Sequence, residues 1–313
     1  MKRLVHATAI FAALAAASGA AADGAPPPPP KVCQLGQAAS LDLKTMQEGM
    51  IALRGAINGH DGYFLVDTGG IGATLGFSSA FQARLKPLRS IFGSALLPGG
   101  ASLDFGANVG HFTVGPIAYS NMWFYIAPDQ MLPSDLAGSL QPHIWDNLDV
   151  EIDFVKGKLN LFQQKQCPGH VVYWTHDAVA AVPMSLDSFG HIGVEADVDG
   201  KPVQAFIDTG AEHSYVTLAA AKTIFGIDAK DPALKPMGSQ SLNDMASVRT
   251  WRYPFQAINF EGISIRNPDI IIADTGTGAN VPPLTIGIGA LRQLHLFIAY
   301  DEKVLYLTAA EAR

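Results

Sequence analysis

The triplet Asp-Thr-Gly occurs at Asp67-Thr68-Gly69 and again at Asp208-Thr209-Gly210. Each copy directly follows apolar residues of strand type, Leu65-Val66 and Phe206-Ile207. A lone Asp-Thr-Gly is ordinarily a turn in which Asp accepts backbone hydrogen bonds. Two copies at the ends of two buried strands are a different matter. If related strand ends meet across a pseudo-two-fold axis, the two carboxylates cannot both ionise easily and must share a proton. One can then act as general base on a water while the other donates to a carbonyl oxygen. The glycines permit close backbone approach, and the Thr hydroxyls can bond across the axis. A third triplet, Asp274-Thr275-Gly276, has no partner copy and reads as a turn.

The elements that must position these groups repeat in the chain. Ile51 to Leu75 aligns without a gap on Ile192 to Val216, at an offset of 141. Each copy reads as strand, Asn58-Gly59 or Asp199-Gly200 turn, second strand, then the triplet; those dipeptides supply the positive φ that tight hairpins need. Each copy also closes alike. Val150–Phe154 and Leu159–Leu161 flank Lys156-Gly157, while Leu296–Tyr300 and Val304–Leu307 flank Glu302-Lys303. Helical segments are short, at Leu218–Phe225 and Ala290–Leu294. The fold class is therefore all-β.

Phe64–Gly69 and Ala205–Gly210 resemble the catalytic strand-loops of aspartic proteases. Gly70 and Ala211 after the triplets, with the short lobes, resemble the retropepsin-like group as a tandem fusion. The resemblance runs from about residue 48 to 309. It implies two related acid-protease lobes of closed β-barrel type arranged as a pseudo-dimer, with no cofactor and no metal. It implies an aspartic endopeptidase acting on polypeptide, with Asp67 and Asp208 catalytic and Thr68, Gly69, Thr209 and Gly210 supporting. Gly70, Ala211 and Glu212 fall where substrate is contacted. An apolar-apolar-Gly loop should buttress each catalytic loop: Thr285-Ile286-Gly287 in the second lobe, Leu136-Ala137-Gly138 in the first. The first is followed by an unusual Gln141-Pro142-His143. Flap candidates are Ser90 to Phe105, tipped by Pro98-Gly99-Gly100, and Met237 to Arg249. His213, five residues after Asp208, is a candidate to tune or line the cleft.

The 313 residues are 48% hydrophobic and 16% charged, with a formal charge of −7. That excludes disorder and a multi-span membrane protein, and the lack of a basic stripe argues against nucleic acid as partner. Lys2-Arg3, an apolar Leu4–Ala17 and Ala20-Ala21-Ala22 read as a signal peptide over 1–22. The protein is thus expected to be exported, periplasmic or secreted, without stable membrane insertion after cleavage. Pro26–Pro30 begin a linker and N-terminal segment over 23–47. A first lobe over 48–165, a connection over 166–180 and a second lobe over 181–313 complete the expected organisation, favouring a monomer. Export and an even count predict that the two cysteines, Cys33 and Cys167, form a disulfide.

The nine histidines form no metal-ligand motif, and no phosphate-binding Gly-Lys-Ser/Thr occurs. Two rivals to the peptidase stay open. One is an inactive peptide- or protein-binding module on the same fold. The other is a protease active only as a homodimer through its second lobe.

Overall fold

A computed structural model describes residues 33–96, 102–133, 135–145, 147–228, 230–240, 247–276 and 281–310. The signal-peptide segment 1–22, the run Pro26–Pro30 and the tip Pro98-Gly99-Gly100 lie outside these residues. The described chain belongs to the compact unit Cys33–Arg313.

The architecture is all-β, and its organising element is a six-stranded antiparallel sheet. Its order is Gln37–Thr45, Lys158–Gln163, Leu148–Asp153, Leu294–Ala299, Val304–Ala309, Ala180–Leu186. Three strands come from each half of the chain. The central pair joins the halves with Val150 opposite Ile298, Glu151 opposite Phe297 and Ile152 opposite Leu296. Glu151 and Phe297 hold equivalent places in their halves, so the pseudo-two-fold axis passes through this pair. Both predicted closing hairpins are here, with positive φ at Gly157 and Lys303.

Each half also wraps into a barrel. In the first, Ile51–Ile57 pairs with His60–Val66, which pairs in parallel with Gly138–Leu140. The circuit continues through Thr74–Gly76, Ile117–Ala127 and Phe105–Val114, which returns to Ile51–Ile57. Six strands close on themselves, leaving no free edge. Phe64, Phe112 and Phe124 fill the interior edge-to-face, with centroids 5.2 and 5.3 Å apart.

The second half follows the same circuit with its long hairpin broken. Val248–Arg252 and Ala257–Phe260 take the place of one continuous strand, Ile263–Arg266 and Ile270–Ala273 that of the other. Pro254 and Pro268 stand in the gaps, where a missing N–H cannot serve a ladder. The predicted Asn-Gly and Asp-Gly turns have the required φ, 47° and 86° at Asn58 and Gly59, 50° and 78° at Asp199 and Gly200.

The central sheet buries one polar knot. His295 Nε2 lies 2.8 Å from Glu151 Oε1, while Asn160 and Tyr173 donate to Oε2 at 3.0 and 2.7 Å. Trp174 stacks on the imidazole at 4.0 Å. Glu151, Asp153 and His295 could in principle ligate a metal. Yet each carboxylate already has protein donors, Lys156 serving Asp153. The cluster therefore reads as a satisfied hydrogen-bonded network between the halves.

Cys33 and Cys167 form the expected disulfide, with Cα atoms 5.5 Å apart. It joins the chain just ahead of Gln37–Thr45 to the turn just after Lys158–Gln163, two strands already paired at Gln37 and Phe162. Reduction, or Cys33→Ser, is expected to lower unfolding free energy by about 2–5 kcal/mol. Denaturant titration with and without reductant checks this, an unchanged midpoint counting against it.

Candidate active site

Both triplets emerge from the ends of interior strands. His60–Val66 delivers Asp67, and Lys201–Ile207 delivers Asp208. A late strand fixes each exit: Asp67 N donates to Leu140 O and Asp208 N to Ile286 O, both at 3.0 Å. Gly138–Leu140 and Leu284–Ile286 each lie parallel to the delivering strand and antiparallel to the strand after the triplet. Two loops of the same shape result.

These loops are bolted together by their threonines. Thr68 N donates to Thr209 Oγ1 at 3.1 Å, and Thr209 N to Thr68 Oγ1 at 2.9 Å. Each hydroxyl then donates across the axis, Thr68 to Ile207 O at 2.8 Å and Thr209 to Val66 O at 2.6 Å. Thr68 is 5% and Thr209 0% exposed, so water cannot replace these partners. The four bonds set the separation of the two strand ends.

That separation brings the Asp67 and Asp208 carboxyls into a hydrogen bond with each other. Gly69 and Gly210 are required by the approach. A Cβ on Gly69 would overlap the Asp208 carboxylate, and one on Gly210 the Asp67 carboxylate. Their amides serve their own loops, Gly69 N donating to Asp67 Oδ1 at 3.0 Å and Gly210 N to Asp208 Oδ1 at 2.9 Å. Burial pushes the Asp208 carboxyl above the usual carboxylate range; the Gly210 and Ala211 amides, the His191 charge and the Asp67 hydrogen bond pull the other way. Such a pair can hold one proton between two carboxylates.

The residues read as substrate contacts occupy distinct places. Gly70 packs beside Asp67, where a Cβ would stand 2.9 Å from Oδ2. Ala211 is fully buried and donates its amide to Asp208 Oδ1 at 3.1 Å. Glu212 is partly exposed and hydrogen-bonds Glu48 from the other half of the chain. Burial raises its carboxyl and Glu48 adds to that rise, against the opposing charge of His213. His213 Nε2 lies 3.2 Å from Glu212, at the loop surface. The histidine whose charge acts on Asp208 is instead the buried His191.

The buttress of the first half is corrected. Pairing makes Ser139-Leu140-Gln141, not Leu136-Ala137-Gly138, the counterpart of Thr285-Ile286-Gly287. Gly138 is glycine for another reason: a Cβ there would run into the Thr74 backbone. Gly287 is glycine because a Cβ would stand 2.6 Å from His213 O and 2.7 Å from Ala211 O. The first half carries Gly70 and Gly72 at the places of Ala211 and His213, with Gln141 opposite in register. The short helix Ile288–Leu291 becomes the 3-10 turn Pro142–Trp145. No residues are inserted; the motif is shifted by three.

Both flap candidates contain hairpins. Ala95 pairs with Leu103 and Leu96 with Ser102, while Lys235–Gln240 pairs with Val248–Arg252. Residues 97–101 and 241–246, the tips, lie outside the described chain.

Thr68→Val keeps the shape but strands the Thr209 amide and the Ile207 carbonyl. It is expected to cost about 2–4 kcal/mol, since each buried unpaired group costs roughly 1–3. Thr68→Ser keeps the hydroxyl and should lose about 1 kcal/mol for its methyl. Chemical denaturation of both variants checks the contrast; equal losses would deny the hydroxyl its role.

Comparison with known proteins agrees in part of the chain. Residues 194–289 match a family described as aspartyl protease. No curated protein matches the sequence. Among solved structures, conglutin gamma, a basic 7S globulin from lupine seeds, is 12% identical, with a TM-score of 0.48 over 89% of this chain and 96% of that one. The basic 7S globulin from soybean is also 12% identical, with a TM-score of 0.46 over 88% and 96%. The stretch 194–289, in the second half of this chain, is thus similar to the aspartyl protease family, and the first half repeats its strand plan around a second Asp-Thr-Gly.

Proposed function

We propose that this protein is an aspartic endopeptidase, exported and active as a single chain, with Asp67 and Asp208 as its catalytic residues. The observation that carries the reading is the carboxyl–carboxyl hydrogen bond between Asp67 and Asp208, held by reciprocal Thr68 and Thr209 bonds. In the working state the pair holds one proton. The ionised carboxylate takes a proton from water as its oxygen attacks the peptide carbonyl carbon. The protonated carboxyl gives its proton to the carbonyl oxygen, producing a neutral gem-diol. Collapse returns a diol proton to one carboxylate while the other delivers its proton to the departing nitrogen. Atoms balance without a cofactor, and the pair returns to its starting charge.

The Thr68–Thr209 bonds are made within one chain, which favours the single-chain site over a homodimer of second lobes. Apolar substrate side chains suit the surroundings. Ile91, Phe92 and Phe105 on the first flap candidate, and Leu88 just ahead of it, are all more than half exposed. Phe92 meets Trp123 edge-on, and Tyr125 packs against Gly72 of the first catalytic loop. The disulfide fits export into an oxidising compartment.

Two expected outcomes test the reading. Asp67→Asn and Asp208→Asn should each lower kcat on an unfolded polypeptide by about 10³-fold or more, as loss of an acid–base group and the nucleophile it activates requires. Activity that survives Asp67→Asn would return the site to a homodimer. Peptide binding without cleavage by the unaltered protein at any pH would make it a binding module. The pH optimum should be mildly acidic, because no hydroxyl follows either triplet and burial raises Asp208.

Stability gives an independent check. A carboxyl raised by folding binds its proton more tightly in the folded state. The associated stability is full below the ordinary carboxylate range and declines as pH rises through the raised value. Asp208→Asn should therefore raise Tm at pH 7 and leave it nearly unchanged at pH 3, measured by calorimetry. A Tm that falls at pH 7 would contradict a shared proton.

A further inference from the structure

The two carboxylates are not equivalently surrounded. In the second half the hairpin register pairs Ile192 with Ile207, so one step further sets His191 opposite Asp208. In the first half the pairing ends at Ala52 and Leu65, and the 141-residue repeat puts Met50 at the place of His191. A thioether thus stands in the first half where the second has an imidazole. His191 is only 9% exposed, yet its Nε2 is buried and has no hydrogen-bond partner among the described residues.

His191 is held with care. Its Nδ1 donates to Asp187 Oδ2 at 2.9 Å, and Asp187 Oδ1 accepts the amides of Phe189 and His191 at 2.8 and 3.0 Å. The ring lies between Phe189 and Phe206, each centroid 5.6 Å away. The loop is anchored on the opposite half of the chain. Gly190, at φ 81°, backs onto Pro142 and His143, and His143 Nε2 donates to Ser188 O at 3.2 Å. The unusual Gln141-Pro142-His143 thus has a use: its Pro and His seat the loop that carries His191.

We propose that His191, oriented by Asp187, is a positioning residue that sets the proton affinity of the Asp67–Asp208 pair from the Asp208 side. The inference rests on the peptidase reading above. When protonated, the ring places a positive charge opposite Asp208 and favours its ionised form, the direction in which His191 acts on that carboxylate. The other titratable groups around this corner are Asp187 on the same loop, His143 beneath it, and Asp67 across the axis. On the second catalytic loop itself, Tyr215 interacts electrostatically with Asp208, and Glu212 and His213 pair with each other. Of these, Asp187 is the one bonded to the ring. Met50 can make no such adjustment, so the tuning acts on the Asp208 side alone.

The test is titration of the full chain with ¹³C-labelled aspartate carboxyls and ¹⁵N-labelled histidine rings, observed by NMR. Asp67→Asn and Asp208→Asn assign the pair. In His191→Gln the lower step of the pair should move upward by about one pH unit. The acidic limb of the pH profile of kcat should move with it, while KM changes little. Asp187→Asn should move both the same way by less. Because coupling is reciprocal, the His191 ring in the unaltered protein must also respond at the pair's own step. That readout serves even if neither variant folds. A pair that titrates in two steps with no response from His191, and no shift in either variant, overturns this inference alone. An unaltered protein whose two carboxyls titrate independently overturns the peptidase reading as well.

Discussion

Two threonine hydroxyls crossing a pseudo-two-fold axis hold this molecule to its chemistry. Each accepts the other loop's amide and donates to the other half's final strand carbonyl. The bonds are buried, so no solvent competes, and an unmade partner would carry its full desolvation penalty. They fix two strand ends at a separation that like-charged carboxylates would not choose. Everything nearer the surface follows from that constraint. Glycine is obligatory after each threonine because the opposite carboxylate occupies the space of a Cβ. The late strands must cap both exits through Leu140 O and Ile286 O.

The constraint is expensive and the rest of the fold offsets it. Asp208 loses solvation on burial, and the amides of Gly210 and Ala211 compensate only in part. Retaining a proton is the remaining way to lower the penalty, and this is the state that general acid–base chemistry needs. The central sheet supplies rigidity. Its middle strands carry Glu151 and His295, one from each half, in a buried pair completed by Asn160 and Tyr173. Removing one partner would leave an uncompensated charge at the axis.

Much of this was legible in the residues. The doubled hairpin, the Asn-Gly and Asp-Gly turns and the strand ends at Asp67 and Asp208 follow from period-two patterning and from φ requirements. The cross-axis role of Thr68 and Thr209 followed from their place after paired carboxylates, and the disulfide from cysteine count and export. The buttress of the first half was misread because glycine marked it in one half only. There Gln141 occupies the glycine's register position, and Gly138 answers to a different clash, with Thr74. Pro254 and Pro268 could have announced the broken hairpin. His191 was within reach too, since counting the hairpin register past Ile192 sets it opposite Asp208. The contact of Glu48 with Glu212 was not, because it depends on how the halves dock.

The central claim is that Asp67 and Asp208 meet and share one proton. A neutron crystal structure at mildly acidic pH tests it most directly. The account predicts nearest carboxylate oxygens about 3 Å apart with a single deuteron between the two groups. Carboxylates separated by more than a bridging water, or each carrying its own deuteron, would contradict it.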